Sequence, residues 1–210
     1  MNNKLENYIL THTSTEDPLL LELSRETHIK TMFPRMLSGH LQGKFLEMIS
    51  HMIRPAAILE IGTFTGYSAI CLAKGLNTEG QLHTIDIDPE LQYLARHFFE
   101  KTGVQEKIIQ HIGDALEIIP LLDYSFDLVF IDADKENYLN YYNLIFDKVR
   151  SGGFILADNA LWDGKVVMSD GKSDKETKGI KQFNDFVSKD KRVENMLLPL
   201  RDGIMILRKK

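Results

Sequence analysis

The sequence predicts an α/β fold built on a mainly parallel sheet of seven strands. From residue 58 onward, short apolar runs alternate with segments of helical periodicity, as in βαβ units whose helices cover both faces of a parallel sheet. Near the end, two apolar segments flank Asp202-Gly203, which predicts an antiparallel hairpin. One strand is therefore expected to run against the others. The expected strands are 58–62, 82–87, 108–112, 127–132, 153–157, 193–199 and 204–208, and the helices between the first five are 66–76, 89–102, 115–120 and 137–149.

Helices are also expected before the sheet, where residues 1–54 would form a cap on a single domain, 1–210, whose core begins at residue 55. Asp17-Pro18 is typical of a helix N-cap followed by proline at the first helical position. A further helix is expected to begin at Ser38 or Gly39 and to end at Arg54, before a proline.

The segment 161–175 is polar, contains Gly164 and Gly171, and predicts a long loop. Long loops in compact domains often carry function. A helix is expected to follow near 176–188.

The composition narrows the class of protein. Of 210 residues, 43% are hydrophobic, which is enough for a sizeable core, and the formal net charge is −5. The single cysteine, Cys71, excludes a disulfide framework within the chain and fits a reducing compartment. Neither a signal-peptide core nor an apolar run of the roughly 20 residues needed to span a bilayer is seen in the sequence. We therefore expect a soluble cytoplasmic protein that does not bind a membrane. The lack of a long basic run argues against a nucleic-acid partner.

A glycine turn follows the first strand, in Glu60-Ile-Gly-Thr-Phe-Thr-Gly66. The spacing is Gly-x-x-x-Gly, which differs from the Gly-x-Gly-x-x-Gly of dinucleotide binders. Glu60 would repel a pyrophosphate but would favour a ligand with positive charge. Asp86 ends the next strand, where an acid can bind both hydroxyls of a ribose. Together these residues favour S-adenosylmethionine as the ligand.

Two further residues fit that ligand. Ser68, at the start of the following helix, can bind the ligand's carboxylate together with the helix N-terminus. Asp114 can accept a hydrogen bond from the adenine amino group, or it can be a plain helix N-cap.

The fourth and fifth strands also end in acids: Asp132 ends the fourth and Asp158 the fifth. Asn159 follows Asp158. If these strands are neighbours, two carboxylates and an amide oxygen meet at one edge of the sheet. Hard oxygen donors suit Mg²⁺, or Mn²⁺ or Ca²⁺, whereas zinc is disfavoured because no histidine or cysteine lies in these motifs. Lys135 lies close to Asp132 in the chain. We expect partial burial and a neighbouring cation to lower the pKa of Lys135 and to make it a usable base.

These motifs resemble the cation-dependent class I O-methyltransferases, the family of caffeoyl-CoA and catechol O-methyltransferases. The resemblance covers nearly the whole chain and rests on motifs that occur in the family's order. They are Met36-Leu-Ser-Gly-His-Leu-Gln-Gly43, Glu60-Ile-Gly-Thr-Phe-Thr-Gly-Tyr-Ser68, Val129-Phe-Ile-Asp-Ala-Asp-Lys135, Ala157-Asp-Asn159 and Leu198-Pro-Leu-Arg-Asp-Gly203.

The resemblance implies a Rossmann-like methyltransferase sheet of order 3-2-1-4-5-7-6 with an antiparallel last strand. It implies Asp132, Asp158 and Asn159 as metal ligands, Lys135 and Asp132 as catalytic residues, and Trp162 and Asp158 as substrate contacts. It also implies a homodimer and an acceptor that is a vicinal dihydroxy aromatic of the catechol, caffeoyl or flavonoid type. The residues expected at the cofactor are Met36, Ser38, Glu60, Gly62, Thr63, Tyr67, Ser68, Asp86, Asp114, Ala115 and Asp132.

Other substrates and classes stay open at this point. A branch similar to this family methylates 5-hydroxyuridine in transfer RNA, which would need a basic surface. The segment 165–191 carries many lysines, including Lys165, Lys172 and Lys181, but interleaved acids largely cancel them. The sequence lacks the phosphate-binding motif expected of a nucleotide-sugar or nicotinamide enzyme, which argues against that class. A non-enzymatic binding module would not need the set of metal ligands together with the lysine.

Overall fold

The computed structural model describes residues 3–168 and 174–210. The predicted loop glycine Gly171 and the lysine Lys172 therefore lie outside the described residues. Three helices, α1 (Asn3–Thr11), α2 (Pro18–Lys30) and α3 (Gly39–Ile53), precede the first strand. Asp17 caps α2 as predicted, because its carboxylate accepts a hydrogen bond of 3.0 Å from the Leu19 amide. Whether the chain is one domain divided at residue 55 stays a prediction.

The seven strands form one sheet in the order β3-β2-β1-β4-β5-β7-β6. β7 pairs antiparallel with both β5 and β6 and so runs against the other strands of the sheet, which confirms the predicted order and the reversed last strand. The strands are β1 (Ala57–Ile61), β2 (Gln81–Asp86), β3 (Ile108–Ile112), β4 (Phe126–Ile131), β5 (Val149–Ala157), β6 (Val193–Leu198) and β7 (Ile204–Lys209). The remaining helices are α4 (Tyr67–Ala73), α5 (Gln92–Lys101), α6 (Ala115–Leu121), α7 (Tyr138–Phe146) and α8 (Lys175–Val187).

Hydrophobic cores lie on both faces of the sheet, which explains the apolar runs in the sequence. Successive side chains of β4 alternate between them: Val129 and Ile131 join the core under α6, α7 and α8, while Leu128 and Phe130 join the core under α2 to α5. A strand buried on both faces needs apolar residues at every position. The pairing of β4 between β1 and β5 then brings the ends of these strands to one edge.

The backbone ladder continues past the strand ends. The amide of Asp132 donates to the carbonyl of Ile61 at 2.8 Å, and the amide of Asp158 donates to the carbonyl of Ile131 at 2.9 Å. The residues that follow β1, β4 and β5 are thus in register, so the predicted acids lie side by side.

Within the predicted loop 161–175, the described part includes a short 3-10 helix, Trp162–Val167, and the predicted helix after it is confirmed as α8, Lys175–Val187. The predicted turn at 201–203 is also confirmed, because the amide of Gly203 donates to the carbonyl of Leu200 at 2.8 Å, while β6 ends one residue earlier than expected, at Leu198. The connection packs on the chain after β5, where the amide of Leu161 donates to the carbonyl of Asp202 at 2.8 Å.

Within the described residues, none of the helices has the length and apolar character that crossing a bilayer requires.

Candidate functional site

A pocket of about 1000 Å³ opens at the carboxyl edge of the sheet, beside the segment 32–38 that leads into α3. This is the place where open α/β sheets bind ligands, and the volume suits a cofactor together with a small acceptor. Of the predicted site residues, only Glu60 does not line the pocket. Those that line it are Met36, Ser38, Gly62, Thr63, Tyr67, Ser68, Asp86, Asp114, Ala115, Asp132, Lys135, Asp158, Asn159 and Trp162.

The glycine turn brings the backbone after β1 close to the end of β4. Gly62 has φ of 101°, and a Cβ at this position would overlap the carbonyl oxygen of Asp132. Only glycine combines this backbone conformation with so close an approach. The turn therefore fixes the distance between the floor of the pocket and Asp132.

Asp86 holds the glycine turn in place. Its Oδ2 accepts hydrogen bonds from the amides of Thr63 at 3.0 Å and Phe64 at 2.7 Å, and its Oδ1 accepts one from Asp88 at 2.9 Å. Three of roughly four acceptor positions of the carboxylate are thus used within the protein. A ribose would share this carboxylate with the turn, and its contact with both hydroxyls stays a prediction.

Glu60 lies beneath the pocket and is fully buried. Its Oε2 accepts a 2.6 Å hydrogen bond from Thr84, and Oε1 is buried without a hydrogen-bond partner among the described residues. Burial raises the pKa of Glu60 to about 8. Glu60 itself does not line the pocket, and its predicted contact with the cofactor stays a prediction.

Three other residues on the cofactor side have partners within the protein. Asp114 is the N-cap of α6, where its Oδ1 accepts from the Leu116 amide at 2.8 Å, so the N-cap interpretation is confirmed and the adenine contact stays a prediction. The hydroxyl of Tyr67 donates to Glu16 at 2.5 Å, which leaves the ring to face the pocket. Met36 is exposed in a short 3-10 helix at the pocket mouth, whereas Ser38 is buried at the start of α3.

Lys135 is buried beside Asp132, with 2.9 Å between Nζ and Oδ1. The ammonium also lies 5.1 Å from the ring centre of Tyr138. Burial on its own would lower the pKa of Lys135, but the attraction of Asp132 and Tyr138 outweighs burial and raises it. The lowering expected from the sequence assumed a neighbouring cation, so it stays a prediction for the cation-bound site.

Asp158 is buried next to Asp132, and both burial and the nearby carboxylate raise the pKa of Asp158. Its Oδ2 accepts from Gln42 Nε2 at 2.7 Å, and its Oδ1 accepts from the amide of Asn159 at 2.8 Å. Asn159 has φ of 55° and donates from Nδ2 to Asp202 at 3.3 Å. Its Oδ1 accepts no hydrogen bond within residues 3–168 and 174–210, so the amide oxygen is available for another partner.

These donors fit a hard divalent cation. Two carboxylates that repel one another, with an amide oxygen beside them, are ligands that Mg²⁺ and Mn²⁺ prefer. Where the structure describes the chain, no group of three or more histidine, cysteine or acidic side chains could hold a metal ion. The predicted set differs from such a group because it has two acids, and its third donor is the amide oxygen of Asn159.

Trp162 forms one wall of the pocket. Its indole ring centre lies 5.9 Å from Nζ of Lys135 and 5.3 Å from Nζ of Lys165, and its Nε1 is buried without a partner among the described residues. An aromatic acceptor placed near Lys135 would therefore lie close to an indole face.

The sequence analysis gave no role to Gln42 and Asp202, which contact the predicted metal ligands, or to Arg201, which contacts Gln42. Arg201 Nη1 donates to Gln42 Oε1 at 3.2 Å and to the carbonyl of Leu37 at 3.1 Å. All three residues lie inside the motifs that carry the family resemblance, Met36–Gly43 and Leu198–Gly203, which was the available signal.

Comparisons with known proteins agree with this geometry. The sequence profile described as O-methyltransferase matches residues 11–210. The caffeoyl-CoA O-methyltransferase of Eucalyptus gunnii is 35% identical over 221 residues, covering 99% of this chain and 88% of that protein. A caffeoyl-CoA O-methyltransferase of Zea mays is 36% identical over 222 residues, covering 99% and 85%.

Solved structures show the same similarity. The O-methyltransferase TomG of Streptomyces achromogenes, in complex with S-adenosylmethionine and involved in tomaymycin synthesis, superposes with a TM-score of 0.92 at 28% identity, covering 99% of this chain and 96% of that one. The O-methyltransferase of Bacillus cereus, bound to S-adenosylhomocysteine, gives 0.91 at 28% identity, covering 99% and 97%. The chain therefore belongs to the family of S-adenosylmethionine-dependent O-methyltransferases.

Proposed function

We propose that this enzyme methylates one hydroxyl of a vicinal dihydroxy aromatic, of the catechol, caffeoyl or flavonoid type, with the help of a divalent cation. The observation that carries the proposal is the cluster of Asp132, Asp158, Asn159 and Lys135 on one side of the pocket. The buried carboxylate of Asp158, the half-buried carboxylate of Asp132 and the amide oxygen of Asn159 suit Mg²⁺, with Mn²⁺ or Ca²⁺ as the other candidates. A vicinal diol is the acceptor class that offers two oxygen donors to one cation.

S-adenosylmethionine would lie along the glycine turn, between Gly62 and Asp86, with its methyl group toward Asp132. The proposal is supported by the pocket lining and by the cofactor complexes of the two bacterial relatives. The predicted cofactor contacts would position the methyl group in line with the acceptor oxygen, which lowers the barrier by orientation.

The cation would lower the pKa of a nearby acceptor hydroxyl by its positive charge. Lys135 would accept the proton at Nζ, which lies on the acceptor side between Asp132 and the Trp162 ring. Because Asp132 attracts the lysine's proton, Lys135 can act as a base only while the charge of that carboxylate is compensated by another cation. Trp162 would stack on or flank the aromatic acceptor, and Asp158 would contact it.

The relatives named caffeoyl-CoA O-methyltransferases support a phenolic small-molecule acceptor. A transfer-RNA acceptor is the alternative, and the lysine-rich segment gives it little support because Lys165 pairs with Asp174 at 3.4 Å. The homodimer and the cytoplasmic location stay predictions.

The experiment is methyl transfer from labelled S-adenosylmethionine by enzyme stripped of metal with EDTA, with and without added Mg²⁺. The acceptors are a caffeoyl-type catechol, its isomer with hydroxyls in a 1,3 arrangement, and transfer RNA that lacks its wobble modification. We expect Mg²⁺-dependent methylation of the vicinal diol alone. Full activity in EDTA would contradict the metal proposal, equal use of the 1,3 isomer would contradict the vicinal acceptor, and methylation of the RNA alone would favour the alternative.

A further inference from the structure

The three residues Gln42, Arg201 and Asp202 connect both predicted metal ligands after β5 to distant parts of the chain. Gln42 is fully buried in α3, so its side-chain amide must satisfy its hydrogen bonds within the protein. It does so on both sides: Nε2 donates to Asp158 Oδ2 at 2.7 Å, and Oε1 accepts from Arg201 Nη1 at 3.2 Å. The orientation of the amide is therefore fixed, with its nitrogen toward the carboxylate.

Arg201 lies in the connection between β6 and β7, in the left-handed region with φ of 50°. It donates to Gln42 and also to the carbonyl of Leu37, in the segment that walls the pocket. Arg201 thus links the β6–β7 connection to α3 by a hydrogen bond to Gln42, the residue that contacts Asp158.

Asp202, the next residue, holds the second ligand. Its Oδ2 accepts from Asn159 Nδ2 at 3.3 Å and its Oδ1 accepts from the amide of Asp163. An amide whose nitrogen faces Asp202 must turn its oxygen the other way. Gly203 keeps the connection close to this segment, because a Cβ there would overlap the Leu161 side chain.

We propose that Gln42 and Asp202 are positioning residues that fix Asp158 and Asn159 in the orientation that binds the cation, with Arg201 supporting Gln42. This inference rests on the proposed function, because it takes Asp158 and Asn159 to be metal ligands. Hydrogen-bond partners of metal ligands commonly change metal affinity or activity by about 10- to 100-fold when they are removed. Since none of the three is itself an expected ligand, their effect would be on affinity rather than on the presence of the site.

The test is the dissociation constant for Mn²⁺ of the full-length enzyme, measured by calorimetry or by electron paramagnetic resonance of free Mn²⁺, with S-adenosylhomocysteine at saturation. Gln42→Met keeps the length and helix preference of the side chain but removes both hydrogen bonds. We expect this variant and Asp202→Ala each to weaken Mn²⁺ binding by about 10-fold or more. Affinity for S-adenosylhomocysteine should be retained.

Ser50→Ala is the matched control. Ser50 is also fully buried in α3 and donates a 2.6 Å hydrogen bond to the carbonyl of Leu72, away from the pocket. It should lose stability like Gln42→Met but bind Mn²⁺ as the wild type does. Equal loss of Mn²⁺ affinity in Ser50→Ala would show a general structural effect and would overturn the proposal.

A double-mutant cycle tests whether Arg201 acts through Gln42. Arg201→Met should weaken Mn²⁺ binding in the wild-type background, but in the Gln42→Met background it should have an effect of less than about twofold. Wild-type Mn²⁺ affinity in both Gln42→Met and Asp202→Ala would overturn the positioning proposal and leave the proposed function standing. Failure of the wild-type enzyme to bind Mn²⁺ would overturn both.

Discussion

Replacement of Lys135 by methionine should reduce turnover strongly without weakening the binding of the cation or of the cofactor. Lys135 is buried against Tyr138 and Trp162, and an unbranched methionine can keep most of this packing. The variant removes the group at 2.9 Å from Asp132 that would accept the acceptor's proton. General base catalysis contributes about 10²- to 10⁴-fold, which corresponds to about 3–5 kcal/mol of activation free energy.

The same change should leave cation binding intact or make it tighter. In the wild type the ammonium of Lys135 competes with any cation for the carboxylate of Asp132. Without that competitor, the two carboxylates of Asp132 and Asp158 lose their nearest positive charge and should bind Mn²⁺ at least as tightly. A fall in kcat with unchanged or tighter Mn²⁺ binding is therefore the expected signature of a lost base.

Lys165→Met is the matched control for this prediction. Nζ of Lys165 lies 5.3 Å from the same Trp162 ring, but the side chain is much more exposed and pairs with Asp174. Exposed ion pairs contribute little, about 0–1 kcal/mol, so turnover should change by less than about threefold. The assay is steady-state methylation of a caffeoyl-type catechol, with cofactor affinity measured separately. A Lys135→Met enzyme with kcat within about threefold of the wild type would refute the role of Lys135 as the base.

Two further predictions concern stability. His83 is buried with its Nδ1 3.0 Å from Nε2 of His111, and burial followed by repulsion from His111 lowers the pKa of His83 from 6.5 to about 4. Because His83 binds its proton more tightly in the unfolded chain than in the folded one, protonation favours unfolding. The free energy of unfolding should therefore be fully retained above pH 6.5 and should fall by about 2–3 kcal/mol as pH falls toward 4. Urea unfolding at several pH values should show a flatter acid-side slope for His83→Gln than for the wild type, and identical slopes would contradict the assignment. Gly179→Ala should lower the free energy of unfolding by about 1–3 kcal/mol, although alanine favours helices, because the added Cβ would overlap the carbonyl of Lys135. Urea denaturation of Gly179→Ala and of the control Lys178→Ala, on the same helix, measures this difference. A Gly179→Ala variant more stable than the wild type would contradict the prediction and show that α8 can move away from Lys135.

Much of the fold could be predicted because its signals are local. The alternation of apolar runs and helical segments marks the parallel strands, and acids at strand ends such as Asp132 and Asp158 mark the functional edge. The order of the strands came from the family resemblance, because periodicity does not say which strands pair.

The supporting contacts could not be predicted because their partners are far apart in the chain. Gln42 contacts Asp158 and Arg201 only after α3, β5 and the β6–β7 connection have packed together. The same holds for Glu60 and Lys135, whose positions near the strand ends could be predicted from the sequence. The burial of Glu60 beneath the pocket and the ion pair of Lys135 with Asp132 depend on tertiary packing. The position of the hairpin turn was predicted from its local sequence, but its packing on Leu161 was not, because that contact joins segments far apart in the chain.

The account depends most on a cation held by Asp132, Asp158 and Asn159. The most direct measurement is a crystal structure of the enzyme with Mn²⁺, S-adenosylhomocysteine and a catechol, with the metal located by its anomalous scattering. The account predicts one strong peak within about 2.0–2.4 Å of oxygens from these three side chains, with both catechol oxygens on the same ion. A catechol bound in the pocket with no metal peak beside these residues would contradict it.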